Sequence, residues 1–190
     1  MSNTPPPQGF RPGQRLIDIA GAVRREPSIP RADLAALLAR HGESAADLAE
    51  EAFSEADAAS LRRAAGRLVD VLTETDTDRA AHTINALLAE CGARPRLSCH
   101  DGHPWHLHVD RGEDASWADW FLASGAMALA QLLTEHGRIA WGECAAPGCA
   151  ALYLDTGPGA ARRYCSSTCA SRTRVAAHRR RRREAERDGH

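Results

Sequence analysis

Residues Trp141 to Arg172 read WGECAAPGCAALYLDTGPGAARRYCSSTCASR, and the rest of the chain is best understood from this stretch. It supplies four cysteines as two close pairs, Cys144/Cys149 and Cys165/Cys169. Four residues lie inside the first pair, three inside the second and fifteen between them. Two short turns facing each other across a small hairpin place four soft thiolates at tetrahedral corners, which is what a zinc ion prefers. ALYLD (151–155) has the apolar character of a strand, and TGPG (156–159) is turn chemistry. Strand, turn, second cysteine pair and then helix predicts a treble-clef or ribbon-like module holding one zinc on Cys144, Cys149, Cys165 and Cys169. Four thiolates fill the coordination sphere and leave no position for a water, so this zinc is expected to be structural and not catalytic. Disulfide pairing, or a redox dithiol, is the alternative for the same thiols. The opening MSNTPPPQGFRPGQ is polar and Pro-rich, without an apolar signal segment. A reducing cytoplasm is therefore expected, where cysteines at such spacing more often hold metal.

Charge is split along the chain. The net charge of −1 hides ten arginines against three acids from Arg162 to His190, and fourteen against twenty-two in the remainder. A basic tail on an acidic body is the asymmetry expected of a nucleic-acid-binding chain. Lysine is absent altogether, so arginine by itself carries little meaning and its position carries the meaning. Apolar content of 43% is ample for a core, and no run approaches the length of a membrane span.

Upstream of the cysteines the periodicity is helical. Residues 1–13 are expected to be disordered. Leu16, Ile17, Ile19, Ala20 and Val23 give a helical face ending before Pro27, and Pro30 opens a second helix through Leu34, Leu37 and Leu38. Ser44 is placed to cap a short helix through Leu48 and Ala52. Ser54 with Asp57 resembles a capping box ahead of Leu61, Leu68, Val69 and Leu72. Thr77 is expected to cap a further helix, with Ile84, Leu87 and Leu88 inward and Gly92 closing it. The period then changes to two: Leu97 and Cys99, then Trp105, Leu107 and Val109, predict a β-hairpin over about 95–110. A long helix from Ser116 to His136 follows, with Trp117, Trp120 and Phe121 read as core. The expected fold is mostly α with a small β-hairpin (α+β). A helical body over 14–138 bears a zinc module with a basic helix over 139–190.

With these elements in place the chain resembles the CGNR zinc-finger proteins, bacterial stress-induced transcriptional regulators whose body is the ABATE domain. The resemblance is carried by Cys144-x4-Cys149, by the Leu152-Tyr153-Leu154-Asp155 strand and by Arg162-Arg163-Tyr164-Cys165. Cys169-Ala-Ser-Arg172, running into Val175-Ala-Ala-His-Arg-Arg, completes it. Ala170 and Ser171 replace the Gly and Asn of the name motif. Over the body, from about Arg79, the match is one of element order. The resemblance implies zinc on the four cysteines, DNA binding and transcription regulation.

After Cys169 the chain runs SRTRVAAHRRRRREAERD, with no Gly or Pro before Gly189. Five consecutive arginines, Arg179, Arg180, Arg181, Arg182 and Arg183, surround such a helix and leave it no apolar face. The segment suits double-stranded DNA, since a guanidinium fork matches phosphate oxygens and guanine edges. Arg172 and Arg174, nearest the zinc, are the candidates for base contacts. Arg179 to Arg183 are the candidates for phosphates. Arg162 and Arg163 are further candidates, or stabilise the thiolates instead. The plainer alternative is a solvated tail whose arginines pair with the acidic body.

His100, His103, His106 and His108 form a second cluster that a metal can use. With Trp105, Leu107 and Val109 inward, the expected place for His106 and His108 is the solvent face. Cys91 and Cys99 read as buried small apolar residues. No Gly-rich phosphate loop, nucleophile elbow or HExxH occurs, so no enzyme activity is expected. The expected function is a DNA-binding regulator whose body senses a small-molecule or protein effector. The alternatives are a protein-interaction adaptor that docks an acidic partner, and an RNA-binding protein.

Overall fold

A computed structural model of the chain describes residues 12–99, 105–110, 115–157 and 160–188. Residues 1–11, most of the stretch expected to be disordered, lie outside the described residues, and Pro12 and Gly13 open the first helix. Among the described residues there are six helices and two two-stranded sheets, so the α+β reading holds.

The body is α1 (Pro12–Arg25), α2 (Arg31–Arg40), α3 (Glu55–Thr73), α4 (Thr77–Glu90), a hairpin of β1 (Arg94–Ser98) and β2 (His106–Asp110), and α5 (Trp117–His136). α5 is its centre. The helix is apolar nearly all round, and it packs against α1, α3, α4 and β2 at once. Against it α3 turns Ala58, Leu61, Ala65, Leu68 and Leu72, all fully buried at helical spacing, and α1 adds Leu16, Ile19 and Ala20. The helix starts are chemically fixed. In the capping box of α3, the Ser54 amide donates to Asp57 Oδ2 at 2.9 Å and the Asp57 amide donates to Ser54 Oγ at 3.2 Å. Ser116 accepts from the Asp119 amide at 3.1 Å to open α5.

Four expectations are corrected. Residues 44–52 form successive turns instead of a helix. Ser44 Oγ does accept from the Asp47 amide, but the turns serve to lead Phe53 into the core, fully buried. α4 is capped by Asp76, whose carboxylate accepts from the Arg79 amide at 2.9 Å, and not by Thr77. In the hairpin, paired Leu97↔Leu107, β2 packs against α5, and of the positions expected to face inward Val109 is the one that joins the core. Leu97, Leu107 and Trp105 are exposed. Cys99, just past the end of β1, is exposed, whereas Cys91 is buried. The hairpin turn with its Asp101-Gly102, and His100 and His103, lie outside the described residues; His106 and His108 lie on β2.

Candidate metal centre

The module begins at β3 (Trp141–Glu143), paired antiparallel with β4 (Leu152–Leu154) in the register Gly142↔Tyr153, and ends in α6 (Ser167–Asp188). β4 was legible as a strand, but β3 was not. The loop between them is the first knuckle. Its turn closes with the Cys149 amide donating to Ala146 O at 2.9 Å, and Gly148 takes a left-handed φ of 72° there. The Cys144 amide donates to Ala151 O at 2.9 Å, and the Ala145 amide reaches Arg163 O at 2.8 Å, drawing the strand toward the third cysteine. Cys165 sits just before α6, and Cys169 lies in its first turn.

This layout gathers the predicted ligands. The four sulfurs all lie within 4.8 Å of one another, with Cys149 to Cys165 at 3.8 Å and Cys165 to Cys169 at 3.6 Å. Zinc–sulfur bonds of about 2.3 Å put the edges of a tetrahedron near ~3.8 Å. The same separations are far too long for a disulfide, whose sulfurs lie about 2.05 Å apart, and none of the described cysteines is in one. Burial opposes ionisation of Cys144, but the amides of Cys165 and Ala146 and the neighbouring thiols donate to its sulfur and bring its pKa to about 7. Cys165 is pushed up to about 12, first by burial and then by the sulfurs of Cys144, Cys169 and Cys149 around it. A bound cation would draw these sulfurs to the thiolate form. Together they form a centre for one structural zinc. Among the described residues they are the one group placed to hold a metal.

Two residues that sequence reasoning did not place in the site hold it to the body. Trp141 is buried, and its indole N–H donates to Val71 O at 3.1 Å, seating β3 on the end of α3. Asp155 is buried too, accepting from the Arg162 amide at 3.1 Å and pairing with Arg138 at 2.8 Å. Its signal was an acid directly after an apolar strand in a basic module. Arg24 of α1 pairs with Glu143 at 2.7 Å.

The residue pattern of Cys144, Cys149, Cys165 and Cys169 on a hairpin and a helix start matches the CGNR zinc finger, over residues 141–182. Residues 14–136, most of the chain, match ABATE, described as "Putative stress-induced transcription regulator". The chain belongs to the ABATE family. No individual curated protein matches it. In this ABATE protein the match to the finger ends within the arginine run, so α6 is part of the family's module up to that point.

The remaining predicted site residues fall into three groups. Arg162 builds the module: its guanidinium donates to Cys165 O at 2.8 Å and lies 5.5 Å from the Tyr153 ring, while Tyr153 Oη donates to Arg162 O at 2.6 Å. Tyr153 in turn lies close over Gly142, where a Cβ would meet its oxygen at 3.2 Å. Arg163 is exposed beside it. Arg172 and Arg174 separate around α6: Arg172 reaches back to Pro147 O at 3.3 Å, whereas Arg174 donates to Ser171 Oγ at 3.3 Å. Arg179, Arg180, Arg181, Arg182 and Arg183 are all exposed. Among the described residues their ion pairs stay within the helix, Arg180 with Glu184 at 3.8 Å and Arg182 with Glu186 at 3.1 Å, and do not reach the body.

Proposed function

We propose that this ABATE protein is a cytoplasmic, non-enzymatic DNA-binding regulator in which the zinc module holds α6 out toward double-stranded DNA. The observation that carries the reading is the state of α6. Its first turn is anchored by Cys169 in the metal cluster, yet from His178 to Arg187 every residue is exposed. Among the described residues no extensive packing joins it to another element. A 22-residue helix with that much unburied arginine gains nothing from the core and is suited to a polyanion. The metal's part is mechanical, since so small a module has little core of its own. Zinc binding worth about 10–16 kcal/mol in comparable fingers is the source of its fold.

The body supplies room for an effector. A cleft of about 570 Å³ lies between α1, α5 and β4, lined by Ile17, Gln131, Leu132, Glu135, Tyr153 and Arg162. It touches both the body and the module. No described helix is long and apolar enough to cross a membrane.

The test is a salt titration of the zinc-loaded chain on duplex DNA, on single-stranded RNA and on an acidic protein. Duplex affinity is expected to fall with salt at a log–log slope of about −0.9 per phosphate contacted. Changing Arg180 to Arg183 to Gln is expected to weaken binding to all duplex sequences alike and to flatten that slope. Duplex binding indifferent to salt, or tighter binding to the acidic protein, overturns the reading in favour of an adaptor.

A further inference from the structure

We propose that one stripe of α6, formed by Thr168, Ser171, Val175 and Arg179, is a base-reading surface that lies in the major groove and selects a thymine close to a guanine. The inference rests on the DNA-binding reading above and assigns the part of the helix that does the reading.

The roll of α6 is fixed at its root. Cys169 is buried in the cluster, and Ala170, Thr173 and Ala177 follow it half-buried on the side that faces the module. Thr173 Oγ1 donates to Cys169 O at 3.0 Å. Arg172 clasps the first knuckle through Pro147 O at 3.3 Å, so the helix cannot turn without breaking that contact. The side thereby turned outward carries Thr168, Ser171, Val175 and Arg179, which share one open face of the helix with Arg172 and Ala176. Arg174 lies outside it.

The composition of the stripe differs from that of a solvated face. Val175 is 50% exposed, a large apolar side chain set between hydroxyls on one side and an arginine on the other. Each of these groups has a counterpart on base edges. An aliphatic group meets the thymine methyl, arginine bonds guanine O6 and N7, and Ser or Thr hydroxyls serve either base. Val175 and Arg179 are one turn apart, about 6 Å along the axis. That matches two base steps of about 3.4 Å. Arg181 and Arg183 lie to either side of the stripe and are suited to the phosphate walls of the groove, whereas Arg182, two turns beyond Val175, continues it.

The test uses the full zinc-loaded chain and a site enriched from a random duplex pool. Thymines in that site are replaced one at a time by deoxyuridine, which lacks the methyl, and guanines by 7-deazaguanine, which lacks N7. The native chain is expected to lose several-fold in affinity at one thymine and about 10-fold at one guanine, within two base steps of each other. Val175→Ser is expected to become indifferent to the first replacement alone, and Arg179→Gln to the second alone. Arg174→Gln is expected to keep both sensitivities. Zinc content and helical circular dichroism, unchanged in all three variants, establish that they are folded. Duplex binding by the native chain with no sensitivity to either replacement, or sensitivities that survive in Val175→Ser and Arg179→Gln, overturns the stripe and leaves DNA binding standing. Failure of the native chain to bind any duplex overturns both.

Discussion

Two mid-helix glycines are expected to respond to the same substitution with opposite signs. Alanine in place of either removes a helix penalty of about 1 kcal/mol. At Gly66 in α3 a new Cβ meets nothing within 4 Å, so the gain is kept. At Gly125 in α5 the Cβ would lie 2.8 Å from Leu68 Cδ1 and 3.3 Å from Leu16 Cδ1. Those methyls are the ends of flexible side chains, but both leucines are fully buried, and a turn of either pushes into packed core. Overpacking of that kind costs about 1–3 kcal/mol, which exceeds the helix gain. Gly66→Ala is therefore expected to stabilise by up to ~1 kcal/mol, and Gly125→Ala to destabilise by about 1 kcal/mol. At about 2–4 °C per kcal/mol for a chain of this size, the two melting temperatures should differ by roughly 4–8 °C. Thermal and urea unfolding followed by far-UV circular dichroism, at fixed zinc because bound metal shifts apparent stability, measures this. A Gly125→Ala protein that melts above the native one would show that α1, α3 and α5 are not packed as closely as described.

Three further outcomes are expected. Cys165→Ser should lose zinc and make residues 141–188 protease-sensitive while α1 to α5 stay folded; elemental analysis and limited proteolysis check it, and unchanged zinc content refutes the ligand set. Trp141→Ala should cost about 3–5 kcal/mol and free the link after α5 to proteases while the four cysteines keep their metal, which separates seating from zinc binding. Glu74, which accepts from the Arg79 side chain and from the amides of Asp76 and Thr75, has its carboxyl pulled down from 4.5 to about 2. A lowered folded pKa means stabilisation present above about pH 4.5 and lost as pH falls toward 2. Glu74→Gln should thus be less stable than the native chain near neutrality and converge with it in acid, as read from urea midpoints across pH.

The helices and the metal ligands were legible for a physical reason: both are local. Leu61, Leu68 and Leu72 reveal α3 by spacing alone, and two close cysteine pairs reveal a knuckle whatever surrounds it. What escaped was set by distant contacts. Leu107 and Val109 alternate identically along β2, yet only the second is buried. Residues 44–52 have helix-forming composition, but the chain there must deliver Phe53 to the core and Trp117 must find Ala52 O at 3.0 Å. Within the module, three-residue β3 was too short to show a period, and the partners of Asp155, Arg138 and Arg162, lie up to seventeen residues away.

The seating of β3 on α3 and of Glu143 on α1 makes the finger a lever. At 1.5 Å per residue, the 22 residues of α6 form an arm of about 33 Å. A tilt of about 5° at the root would sweep its far end through roughly 3 Å, close to one base step. A small displacement of α1 against α3 that tilted the module would therefore be amplified where the arm ends.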